Sequence, residues 1–138
     1  MTVLSPREAS IFACVADTLL APAPPLPPID KTDAVRAFDA WLALAPPINR
    51  MGLRAVLLGL EIAPRLTRAR TRWRRLSPPA RLAVLDRLAQ RPGGRTLVEA
   101  LRASAAVSYY GDAQVSALLG YVPGSLAAST RSLPEAGR

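Results

Sequence analysis

Fourteen prolines cut this 138-residue chain into short pieces, and their placement decides what it can fold into. Proline has no N–H to donate and its ring clashes with the preceding helical turn, so it belongs at a helix's first turn or between elements. Here it falls at Pro6, five times between 22 and 28, at Pro46-Pro47, Pro64, Pro78-Pro79 and Pro92, and twice in the tail. The pieces between carry apolar residues three and four apart. None alternates with the period of two that a half-buried strand shows. The pattern predicts an all-α fold: a single compact bundle of five or six helices over residues 1–122. A proline-rich connector at 21–31 follows the first helix, and a loose tail occupies 123–138.

Ser5-Pro6-Arg7-Glu8 reads as a capping box with proline at the first helical position. Ile11, Phe12, Val15, Ala16 and Leu19 then give one wide apolar face. A second helix, starting at 32 or 33 and ending at 44, has Val35, Phe38, Trp41 and Leu42 as its core stripe. The third, over 48–62, is apolar nearly all round apart from Arg50, Arg54 and Glu61 on one side, which predicts the central helix of the bundle. Leu76-Ser77-Pro78 echoes Leu4-Ser5-Pro6 and introduces a fourth helix with Leu82, Leu85 and Leu88; a shared capping solution explains the echo. Pro92-Gly93-Gly94 is a turn into a fifth helix over 96–108. Asp112 caps a sixth, which Gly120 closes.

The composition narrows the chemistry. There is no histidine, which removes the commonest general base and metal ligand and the Ser-His and Cys-His nucleophile pairs. Cys14 is the single cysteine, so no internal disulfide forms, and its apolar neighbours predict a buried free thiol. The carboxylates are scattered. Asp17 and Glu61 read as the buried ones, each paired with an arginine such as Arg54, and a catalytic reading would need a pocket built from those three. The expectation is a chain that is not an enzyme and holds no cofactor and no metal. The N-terminus lacks a basic-then-apolar export signal. The most apolar stretch, 51–63, falls short of the roughly 20 residues that span a bilayer. A cytoplasmic chain with no membrane span is therefore expected.

The net charge is +8, and Lys31 is the only cation that is not an arginine. Such a balance attracts acidic partners, although GC-rich coding raises arginine, alanine and proline together without any such meaning. The arginines concentrate at Arg65, Arg68, Arg70, Arg72, Arg74 and Arg75, around Trp73. Read as a helix over 67–76, this segment spreads its charge all round. It is either a solvated helix with Trp73 in the core or a docking surface using Arg68, Arg72, Trp73 and Arg75. The second aromatic group is Tyr109, Tyr110 and Tyr121, three of the chain's seven aromatic residues. One ring is expected in the core and the others at an interface.

Two stretches carry a family resemblance. They are Leu4, Ser5, Glu8, Val15, Ala16, Asp17 and Leu19 at the start, and Tyr109, Tyr110, Asp112, Val115, Leu119, Gly120 and Tyr121 near the end. They resemble the small-subunit family typified by the third subunit of gluconate 2-dehydrogenase. They are also similar to the helical N-terminal region attached to some flavin-dependent glucose-methanol-choline (GMC) oxidoreductases. The middle helices agree in character and order. The resemblance implies a cofactor-free accessory subunit that binds a flavoprotein large subunit and stabilises or positions it, and it transfers no catalytic residue. Small subunits of that family often carry a twin-arginine export signal. Here the pair Arg74-Arg75 lies mid-chain, which favours a cytoplasmic companion. The alternative is a small basic helical protein that binds nucleic acid through its arginines and Trp73.

Overall fold

The computed structural model describes residues 2–66 and 70–120, and no strand occurs among them. Six α-helices follow in chain order: α1 (Pro6–Leu20), α2 (Ala34–Leu44), α3 (Pro47–Ile62), α4 (Pro78–Ala89), α5 (Gly94–Tyr110) and α6 (Ala113–Leu118). The fold is an all-α bundle, and four of its helices take a proline or glycine as their first residue.

α1 begins with a complete capping box. The Ser5 hydroxyl accepts from the Glu8 N–H at 3.2 Å, and the Glu8 carboxylate accepts from the Ser5 N–H at 2.8 Å. Just ahead, Asp39 of α2 accepts from the N–H groups of Val3 and Leu4 at 2.9 and 2.7 Å, fixing the start of the chain to α2. Asp112 does two tasks at once. One oxygen caps α6 through the N–H groups of Gln114 and Val115; the other accepts from the Asp33 N–H at 2.9 Å, tying α6 to the start of α2.

The turn between α4 and α5 is set by two glycines for different reasons. Gly93 sits at φ +76°, where a side chain is strained. Gly94 has ordinary dihedrals but no room: a Cβ there would lie 1.7 Å from the Leu88 carbonyl oxygen. The two helices meet backbone to backbone.

α1 and α5 form the middle of the bundle. α5 lies against α1, α2 and α4 and continues into α6, while α1 also meets α2, α3 and α4. The expectation that α3 is central is therefore corrected. Its N-terminal half carries Ile48 and Met51 in solvent, and its buried residues are Leu57, Leu60 and Glu61. The core holds Ile11, Phe12, Phe38, Leu42, Leu85, Leu101 and Tyr109, with Phe12 and Phe38 stacked at a centroid distance of 3.8 Å. Each such fully buried side chain contributes roughly 1.5–3 kcal/mol.

Two connecting segments differ from expectation. The proline-rich connector is folded against the bundle rather than merely extended: it turns at 23–26, forms a 3₁₀ turn at Ile29–Lys31 and buries Ile29. The basic segment is not an α-helix where it is described. Arg70 has φ +45°, and a 3₁₀ turn at Trp73–Arg75 leads into extended backbone at Leu76. Residues 67–69 and the tail lie outside the described residues. The prolines that open α4 favour extended backbone ahead of them, which stops the basic segment from joining that helix.

Candidate functional site

The basic segment is organised by a buried carboxylate. Glu61, fully buried near the end of α3, accepts from the Arg74 Nε at 2.9 Å, and a second guanidinium nitrogen of Arg74 stands at 2.9 Å from the same oxygen. Arg74 also donates to the Ser10 hydroxyl at 3.1 Å, while its carbonyl accepts from Arg81 of α4. This network turns the segment inward and takes Trp73 with it. Trp73 has no exposed surface, and the Arg81 guanidinium stands 5.8 Å from its ring centroid. Among the described residues, neither Trp73 Nε1 nor Arg81 Nε finds a hydrogen-bond partner.

Trp73, a candidate docking residue by sequence, is thus a core residue and offers no face to a partner or a base. Tyr109 is corrected in the same way. It is fully buried, and its hydroxyl donates to the Pro27 carbonyl at 2.6 Å, pinning the connector to α5. Burial pushes the Tyr109 hydroxyl's pKa up, with smaller contributions from Tyr110 and Asp112. Of the remaining candidates, Arg75 and Tyr110 are exposed and Arg72 is half-buried. Tyr110 lies edge-on to Tyr109 with centroids 5.1 Å apart. Arg68 and Tyr121 lie outside the described residues. Among the described candidates, Arg75 and Tyr110 therefore remain as exposed side chains, while Trp73 and Tyr109 belong to the core.

The other predicted ion pair is made with a different acid. Arg54 donates to Glu8 at 2.8 Å, not to Asp17 or Glu61, and Asp17 is exposed. Burial raises the pKa of Glu8, but hydrogen bonds from Arg54 and Ser5 and the Arg54 charge together bring it below its ordinary value. No pocket of Asp17, Glu61 and Arg54 exists, because Asp17 faces water and the other two point to separate partners. Cys14 is half-buried, and burial raises its pKa despite Arg81 and Arg74 nearby. A thiol held protonated is a poor nucleophile. Among the described residues, no three Cys, Asp or Glu side chains lie together as metal ligands, and no helix is long and apolar enough to cross a membrane.

The feature that sequence reasoning misplaced is apolar. Trp41, assigned to the core stripe of α2, is 56% exposed, with its ring resting on Phe38 at 6.0 Å. Leu44 ends the same helix at 87% exposed, and Ile48 and Met51 open α3 in solvent beyond Pro46-Pro47. Four large apolar side chains thus stand along one corner of the chain, with Arg50 among them. The signal was present: Ala37, Ala40, Trp41 and Leu44 form a second apolar stripe on α2, beside Ala34, Phe38 and Leu42. A helix with two apolar faces keeps one for something else. Compared with protein-family models, curated proteins and solved structures, the chain matches none of them.

Proposed function

We propose that this chain is a non-catalytic accessory subunit that docks onto a flavin-dependent oxidoreductase subunit of the GMC type, as a companion in the cytoplasm. The observation that carries the docking half is the apolar corner of Trp41, Leu44, Ile48 and Met51. Large apolar side chains left in solvent on two consecutive helices are characteristic of an interface, and a tryptophan with one face already packed is ordered at little further entropic cost. The flavoprotein half rests on the sequence resemblance. The structure gives the residues of that resemblance mostly scaffold roles: Ser5 and Glu8 cap α1, Val15 and Ala16 fill the core, Tyr109 holds the connector and Asp112 caps α6. They therefore support a shared fold, and the contact surface is assigned to the apolar corner with Arg50 as its polar addition.

The test is co-purification of the tagged chain from its native cells, with an absorbance spectrum taken on what accompanies it. A stoichiometric flavin-bearing protein, lost when Ile48→Asp is introduced and kept with Asp17→Asn, is the expected result. A chain that emerges alone, or with nucleic acid released by high salt, overturns the proposal.

A further inference from the structure

Away from the apolar corner, a groove of about 470 Å³ lies between the second half of α3, α4 and the start of α5. Its sides include Leu60, Leu88 and Leu97. On the α3 side it passes over Gly59, where a Cβ would meet nothing within 4 Å. Arg87, in the last turn of α4, and Arg91, just beyond its end, also line it. Among the described residues no carboxylate lines the groove, and neither arginine's side chain makes a hydrogen bond or ion pair with any of them. Glu61, the acid of α3, does not line the groove and is committed to Arg74.

An apolar concavity of this size falls within the range of small-molecule sites. Two guanidiniums that pair with no described residue, at and just past the end of α4, present planar donors suited to carboxylate or phosphate. We infer that this groove binds an amphiphilic anion: an alkyl chain lying over Gly59 between the leucines, with a carboxylate or phosphate head held by Arg87 and Arg91. The site is separate from the apolar corner, so it stands or falls independently of the flavoprotein reading.

The experiment is calorimetric titration of the full chain with decanoate, decyl phosphate and decan-1-ol, each below its aggregation threshold. Saturable one-site binding of at least one anion is expected, with the alcohol roughly tenfold weaker or more because it leaves the guanidiniums unpaired. The tighter of the two anions identifies the headgroup. Octanoate should bind roughly tenfold more weakly than decanoate, since two fewer methylenes are buried. Arg87→Ala with Arg91→Ala should weaken the anions about tenfold or more and leave the alcohol unchanged. Gly59→Leu should fill the groove and abolish binding while the thermal midpoint holds or rises, because leucine is the better helix former. Ile48→Asp should leave binding unchanged. Equal binding of alcohol and anions, absence of saturable binding, or anion binding that survives Gly59→Leu and falls with Ile48→Asp overturns the inference.

Discussion

α3 reaches two corners of the bundle with opposite charges. Near its middle, Arg54 pairs with Glu8 at the start of α1; two turns later, Glu61 pairs with Arg74 ahead of α4. The corners look alike in sequence, since each helix opens with Leu-Ser-Pro. They are held differently. At α1 the carboxylate belongs to the helix being started and caps it as well as meeting Arg54, whose side chain remains 45% exposed. At α4 the carboxylate comes from another element and is wholly buried, and Ser77 makes no side-chain cap. The first corner is local structure reinforced by a long-range bond. The second is a tertiary contact with nothing local beneath it, and its removal should cost more.

The comparison can be broken at its stronger end with Glu61→Ala. That change strands the Arg74 guanidinium and frees the segment that seats Trp73, and breaking such a buried pair costs about 3–5 kcal/mol. Urea unfolding measures it. A loss under about 1 kcal/mol would show that the network follows the packing of Trp73 rather than holding it.

Glu8→Ala is the counterpart, with an expected loss of about 2 kcal/mol from the box and one charge-assisted bond, less than at Glu61 because Arg54 returns to water. This corner also carries a pH signature. The folded pKa of Glu8 lies below its ordinary 4.5, so its contribution is fully present above that value. It fades as pH falls through the folded value, because protonation removes the bonds from Arg54 and Ser5. The stability difference between the native chain and Glu8→Gln should therefore be largest near neutral pH and shrink as the pH falls below that ordinary value. A difference that grows on acidification contradicts the assignment.

The smallest effects sharpen the contrast. Ser5→Ala should cost about 1 kcal/mol, whereas Ser77→Ala should stay within about 0.5 kcal/mol, because only the first serine accepts a capping bond. Thermal midpoints of the two variants, compared side by side, decide it.

Much of the architecture is local and was therefore legible. The prolines mark the starts of α1, α3 and α4, the Ser5–Glu8 box and the Asp112 cap stand where their spacing puts them, and Glu61 is buried against an arginine. The misreadings share a cause. Trp41, Asp17 and the supposed centrality of α3 all depend on which of a helix's faces meets another helix, and a side chain's type does not say this. The basic segment fails for a related reason: its arginines suit a helix individually, yet Glu61 draws Arg74 inward from thirteen residues away. Most of the candidate site was illegible for the same reason, since the sequence left Trp73 open between core and surface and did not say which tyrosine ring fills the core.

By itself the sequence determined the all-helical class, the breaks between helices and the lack of any histidine-based chemistry, because capping, proline geometry and composition act within a few residues. Only the tertiary structure decided which helix lies at the centre, which arginines are tied to carboxylates, and which apolar residues are left facing water. Those outcomes depend on how faces are shared among six helices, and that competition is settled between elements distant along the chain.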